Sequence, residues 1–298
     1  MNALSQFAAY LFASGDVFFV GAALVVVGRA ATRRLRHHRR AKWLRLLTIL
    51  GVILVALSMV PLPLWLYGLV TIPPLLGLFE SFHNNEKTRR FHMLHRAQPV
   101  VEFLLLAAMI FELVERHQLY AVPFPQTPTE VHVIGDSLSA GIAHEQSRLW
   151  PNLIAREWNA SVRNHAQVGA TTASAIRQAD AVTSEDCLVL IEIGGNDFFE
   201  RRPTSQIEAD LNRLLTRLSS SRRTLVMFEL PLPPTPGAYD LARLQRRLAF
   251  QHRACLIPRR DFAKVLLAPD ATSDGLHLTP IGHRALASLV LSTLSPRR

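Results

Sequence analysis

Residues 131–141 read V-H-V-I-G-D-S-L-S-A-G. The first four form a short apolar run of the kind found in strands buried on both faces of a parallel sheet. Gly135 and Asp136 then turn the chain, and Ser137 stands where a helix begins, a position serine favours because its hydroxyl can accept from free backbone N–H groups. Strand, polar turn and helix start make one β–α unit. The alternation continues, with strands predicted near 161–165, 187–193, 225–230 and 256–257. Helices are predicted from after Ser137 to about Trp158 and near 171–181, 204–220, 238–252 and 280–294. The pattern predicts an α/β domain over residues 131–298, a parallel sheet with helices on both faces.

Upstream the character changes. The stretch 120–130 is a proline-spaced linker that should stay extended. Before it, the composition departs from that of a soluble chain: 49% of the 298 residues are hydrophobic and 19% charged, and mean hydropathy is +0.17. Part of the chain is therefore expected in a bilayer. Gly 14, Pro 18 and Cys 2 exclude collagen-like, disordered and disulfide-stapled classes.

A spanning helix needs about 20 apolar residues. An all-α transmembrane region over 1–119 is predicted, with about four helices at 7–28, 46–60, 64–79 and 98–114. The first contains Asp16, which requires a polar partner at depth or else marks a shallower start to the span. A cleaved signal peptide would need basic residues ahead of the apolar run, and here they follow it. Residues 46–79 carry no charge, and P-L-P at 61–63 splits them into a hairpin, a single kinked helix being the alternative. The stretch 98–114, with Glu102 and Glu112 near its ends, also suits an interfacial helix.

The formal charge of +10 is concentrated before residue 120, where 13 Lys and Arg oppose 6 Asp and Glu. All of these basic residues but Arg116 sit in loops 29–45 and 80–98, the pattern of membrane orientation and not of a nucleic-acid groove. With a hairpin at 46–79 both loops face the cytoplasm and the C-terminal domain lies outside it; with one span there, that domain is cytoplasmic. The histidines of these loops, His37, His38, His83, His92 and His95, have no convincing metal spacing and read as solvated loop residues.

In open parallel sheets ligands bind beyond the carboxyl ends of the strands. Three turns there are unusual: Gly135-Asp136-Ser137-Leu138-Ser139, Gly194-Gly195-Asn196-Asp197, and Asp274-Gly275-Leu276-His277. A serine hydroxyl becomes a nucleophile when a base takes its proton; His277 suits that role, with Asp274 able to orient its ring. The backbone N–H groups of Ser137 and Gly169 and the amide of Asn196 suit an oxyanion hole. Each residue also has a structural role open to it: Ser137 as helix N-cap, Asn196 and Asp197 as turn formers, Gly169 as a loop glycine, and Asp274 as a turn cap beside an exposed histidine.

These blocks, in order V-I-G-D-S-L-S-A-G at 133–141, Gly169 in Q-V-G-A-T-T, I-G-G-N-D at 193–197 and D-G-L-H at 274–277, resemble the GDSL or SGNH hydrolases. With Leu149-Trp150-Pro151 they look most like that family's bacterial periplasmic thioesterase, arylesterase and lysophospholipase branch. The resemblance covers about 131–294. It implies a flavodoxin-like three-layer domain and a serine ester hydrolase with triad Ser137, His277 and Asp274, oxyanion donors Ser137, Gly169 and Asn196, and no cofactor or metal. In this family proline commonly follows the last histidine directly, whereas here Leu278 and Thr279 intervene before Pro280. The α/β-hydrolase elbow G-x-S-x-G is not met.

Together these readings predict a multi-pass protein of a bacterial inner membrane with an extracytoplasmic catalytic domain. Its partners would be membrane lipids and small-molecule or lipid esters, including lysophospholipids. An acetyl esterase or O-acetyl transferase on envelope glycans, and a non-catalytic membrane scaffold, are the alternatives. Cys187 and Cys255 leave a disulfide open, although family topology places their strands apart.

Overall fold

The computed structural model describes residues 3–34, 41–82, 98–119, 127–142 and 148–294. Most of the linker at 120–130 and all five loop histidines lie outside them. The chain divides into two compact units, one of Met1–Ser14 with His117–Arg298 and one of Gly15–Arg116.

The second unit holds helices α2 (Val17–Arg34), α3 (Ala41–Leu57), α4 (Leu64–Phe82) and α5 (Gln98–Leu119, ending just beyond the unit). The P-L-P at 61–63 separates α3 from α4, as expected, because proline lacks the N–H that a continuing helix needs. The span expected at 7–28 is instead broken. Helix α1 (Ala3–Ser14) stops at Gly15, whose φ of 76° lies in the left-handed region, and α2 restarts at Val17. Among the described residues no single helix is long and apolar enough to cross a membrane, although Leu4–Ser14 and Val17–Thr32 pass that test as a bent pair.

Close backbone approach joins α2 to α3. A Cβ on Gly21 would lie 2.7 Å from the Gly51 carbonyl oxygen, and one on Gly51 would lie 2.7 Å from that of Gly21. Phe18, Val25, Val52, Val55 and Leu105 form the interior. Asp16 has the partner it needed: Arg116 Nη1 donates to it at 2.7 Å, while Arg116 Nε donates to the buried Glu112 at 2.7 Å. Arg29 pairs with Glu102 at 3.8 Å.

The first unit is the expected parallel α/β fold. Its sheet runs in the order β2-β1-β3-β4-β5, all parallel, from β1 (Glu130–Gly135), β2 (Ser161–Asn164), β3 (Leu188–Glu192), β4 (Thr224–Phe228) and β5 (Cys255–Ile257). This is the flavodoxin-like order. β1 and β3 bury nearly every side chain, which explains their unbroken apolar runs. Between and after them lie α6 (Ser137–Ala140), α7 (Trp150–Trp158), α8 (Thr172–Ala179), α9 (Gly195–Phe199), α10 (Thr204–Leu218), α11 (Pro236–Gln251), α12 (Arg259–Leu266) and α13 (Pro280–Leu294). α12 was not expected from the sequence. It starts behind Pro258 and alternates charged residues with Phe262, Ala263 and Val265, which it buries. No disulfide joins the two cysteines: Cys187 lies just before β3 and Cys255 in β5, with β4 between the two strands.

Candidate active site

The chain leaves β1 for β2 on one side and returns to β3 on the other, so the loops after β1 and β3 diverge and leave a crevice between them. Ser137 follows β1, and Asn196 follows β3. At the end of β1 the polypeptide is crowded: a Cβ on Gly135 would lie 2.7 Å from Ser139 Oγ and 2.9 Å from the Glu192 carbonyl oxygen. The buried side-chain amide of Gln178 accepts from Gly135 N–H and donates to Gly135 C=O, both at 3.0 Å, fixing the strand end. Asp136, and not Ser137, caps the short helix α6, its carboxylate accepting from Leu138 N–H at 3.0 Å. The capping role that competed for Ser137 is therefore filled by its neighbour.

Asn196 opens α9 and donates through Nδ2 to the Ala170 carbonyl at 2.8 Å, with a longer contact of 3.4 Å to Asp136 Oδ2. Gly169 stands beside Ala170 with φ of 74° and open space where a Cβ would be, so its glycine character answers to backbone conformation and not to crowding. It is next to the site without lining its cavity. Asp197 is more than a turn former. Wholly buried, it accepts from Thr172 N–H at 2.9 Å and Thr172 Oγ1 at 2.7 Å, and it pairs with Arg202, which also holds Asp210 at 2.8 Å. This clasp ties the Gly169–Ala170 loop to the Asn196 turn.

Asp274 and His277 form one compact turn. Asp274 Oδ1 accepts from the N–H groups of Leu276 and His277 at 2.9 and 2.8 Å, while Oδ2 meets His277 Nδ1 at 2.6 Å. Asp274 thus both caps the turn and orients the ring. These hydrogen bonds, the backbone N–H of His277 first, hold its carboxyl well below the usual aspartate range, so it stays ionised at any working pH. The two residues between His277 and Pro280 have identifiable work. Leu278 bridges to Thr272, and Thr279 accepts from Gly282 N–H at 3.3 Å and, through its carbonyl, from His283 N–H at 2.9 Å at the start of α13.

Ser137, Asn196 and His277 all line one cavity of about 460 Å³. Its remaining wall is largely apolar, with Leu230, Leu232, Phe262 and Leu266 opposite the polar cluster. A neighbouring cavity of about 500 Å³ shares Phe199 and Pro233 with it. Among the described residues no group of three or more His, Cys, Asp or Glu side chains is arranged to hold a metal ion.

The cavity has two further polar members to which the sequence pattern gave no role, Asp136 and Glu192. Glu192, the last residue of β3, is 1% exposed and faces Asp136, which is 5% exposed. Ser139 Oγ donates to Glu192 Oε2 at 3.1 Å, and the second carboxyl oxygen of Glu192 has no protein donor. Burial, and then the charge of Asp136, push the Glu192 carboxyl well above its ordinary range; burial also raises Asp136. Two buried carboxyls side by side are not both charged, and the stronger upward push on Glu192 favours the proton there. The signal for this was present in E-I-G-G-N-D, but a glutamate at a strand end acquires meaning only when the partner strand is known.

Residues 133–285 match the GDSL-like Lipase/Acylhydrolase family, and the chain belongs to it. Membership supports a carboxylic ester hydrolase. The domain is 27% identical over 183 residues to an arylesterase of Vibrio mimicus, covering 57% of this chain and 90% of that relative. It is 27% identical over 172 residues to the thioesterase 1/protease 1/lysophospholipase L1 of Escherichia coli K12, covering 55% of this chain and 82% of that relative. Among solved structures, the psychrotrophic esterase EstA of a Pseudoalteromonas species shares the fold, with a TM-score of 0.51 and 20% identity over 56% of this chain and 96% of that one.

Proposed function

We propose that the protein is a membrane-anchored serine ester hydrolase acting on acyl esters, lysophospholipids among them. The observation that carries this reading is the convergence of Ser137, Asn196 and His277 on one apolar-walled cavity. Cavities of about 300–1,000 Å³ with a few convergent polar groups are typical of small-molecule sites.

His277 Nε2 removes the proton from Ser137 Oγ as that oxygen attacks the ester carbonyl. Asp274, bonded to Nδ1, keeps the ring in the tautomer whose Nε2 can accept, and stabilises the imidazolium that forms. The tetrahedral oxyanion accepts from the backbone N–H groups of Ser137 and Gly169 and from Asn196 Nδ2. The 3.4 Å contact of Asn196 to Asp136 is the weaker of its two bonds and is the one an oxyanion replaces. Collapse breaks the C–O bond of the leaving alcohol, which takes the proton from His277. Water, deprotonated by His277, then cleaves the acyl-enzyme and regenerates Ser137.

The apolar wall favours an acyl chain over an acetylated glycan. Membrane anchoring is supported by the helical unit, where Trp65 is 65%, Phe103 69% and Ile110 61% exposed. The test is hydrolysis of p-nitrophenyl esters from acetyl to palmitoyl, with lysophosphatidylcholine and an acetylated glycan, by detergent-solubilised protein. Wild type should turn over the longer acyl esters, and Ser137→Ala should lower kcat by about 10⁴-fold or more. Activity confined to acetyl substrates moves the reading to envelope-glycan deacetylation; equal inertness of both proteins sinks the hydrolase.

A further inference from the structure

The matched family region begins at residue 133, yet one element of the catalytic cavity comes from the other end of the chain. Helix α1 packs along α12 within the α/β unit. Arg260 Nε of α12 lies 3.4 Å from Tyr10 Oη of α1. In the last turn of α1, Ala13 lines the cavity together with Phe262, Ala263 and Leu266 of α12. α1 has the sequence A-L-S-Q-F-A-A-Y-L-F-A-S, without a charged residue, so the surface it brings to this wall is wholly uncharged.

We propose that α1 supplies a wall of the acyl-binding cavity and that the residue at position 13 sets the length of acyl chain admitted. This rests on the ester-hydrolase reading above. The polar cluster of Ser137, Asn196 and His277 fixes where the ester carbon must sit; the acyl chain extends from there along the apolar wall. A methyl group at position 13 leaves that path open, whereas a larger side chain on a packed helix occupies it. Unlike the walls contributed by α9 and α12, this one lies outside residues 133–285, which match the family. The position is therefore free to set specificity without disturbing the reacting groups.

The experiment compares full-length wild type, Ala13→Leu and Ala13→Trp in detergent, reading the ratio of kcat/KM for p-nitrophenyl octanoate to that for p-nitrophenyl butyrate. Each methylene excluded from an apolar site costs about fourfold. Ala13→Trp should lower the ratio by about tenfold or more, and Ala13→Leu by a smaller factor in the same direction. Phe7→Trp serves as the control, because Phe7 is on the same helix and 59% exposed; its ratio should match wild type. A thermal melt of each variant reports folding. Should Ala13→Trp fail to fold, Ala13→Leu decides. An unchanged ratio in a folded Ala13→Leu or Ala13→Trp, or an equal shift in Phe7→Trp, overturns the role of α1. Wild type lacking esterase activity, or retaining it in Ser137→Ala, overturns the hydrolase reading instead, so the two failures are told apart.

Discussion

Trp150 of the α/β unit is wholly buried, whereas Trp43 and Trp65 of the helical unit are 72% and 65% exposed. Phenylalanine is divided less sharply: Phe228 and Phe262 are buried in the α/β unit and Phe103 and Phe111 of α5 are exposed, but Phe18 is buried in the helical unit and Phe250 is exposed in the α/β unit. Both units bury paired charge, Glu229 with Arg246 being an example in the α/β unit. In the helical unit Glu112 and Arg116 are turned inward and paired, and the α/β unit also has ion pairs at the surface, such as Arg222 with Asp186. The helical unit thus exposes large aromatic side chains over an interior whose charges are paired. The arrangement of the helical unit suits hydrocarbon, where unpaired charge is costly and exposed leucine is not.

The comparison makes activity a property of the α/β unit alone. His277→Ala should lower kcat/KM for a short soluble ester by about 10³–10⁴-fold, while Trp65→Ser in the helical unit should leave that value unchanged. A large loss in Trp65→Ser would break the separation.

Next in size is the inward charge. Arg116→Ala removes ion pairs from Glu112, 0% exposed, and from Asp16, and should destabilise the helical unit by about 3–5 kcal/mol. Arg202→Ala does the same to Asp197 in the α/β unit and should cost less, because the two hydrogen bonds from Thr172 remain. Thermal unfolding of both variants in detergent orders them; equal losses would contradict the contrast drawn between the units.

A smaller effect is expected where α2 meets α3. Gly21→Ala sets a Cβ 2.7 Å from the Gly51 carbonyl oxygen and should cost about 1–3 kcal/mol by overpacking. Unchanged melting would mean that this crossing is loose.

The finest test is a slope. Glu192 has its folded pKa raised above an ordinary value of 4.5, so the folded state holds a proton that the unfolded state releases. That contribution is fully present below 4.5 and is lost as pH rises through the raised folded pKa. Glu192→Gln keeps a donor toward Asp136 without titrating. Its stability should therefore gain on wild type as pH increases above 4.5, read by urea unfolding across pH. Parallel pH profiles would remove the proton from Glu192.

What the sequence made legible follows from locality. The order of strands and helices, and the candidacy of Ser137, Asn196, Asp274 and His277, rest on short patterns in which each residue's neighbours in sequence are also its neighbours in space. Asp274 and His277 are three apart and touch. The break at Gly15 was not legible, because the run from 7 to 28 is apolar on both sides of it and the residue that answers Asp16 is Arg116. Gln178 and Gln245 were equally silent: each is a glutamine on a helix until the strand end it clamps, Gly135 or Phe228, is known. α12 hid behind its charges, since only one of its faces is buried.

The course of the chain between the two units has a consequence for biosynthesis. α1 leaves the ribosome ahead of the helical unit, but α12, along which it packs, begins at Arg259, after that whole unit has been made. At about 5–20 residues per second, α1 waits on the order of tens of seconds for its partner. During that interval a twelve-residue helix without charge has no place in its own domain. The α/β unit is thus completed only when a later part of the polypeptide returns to one made before the helical unit.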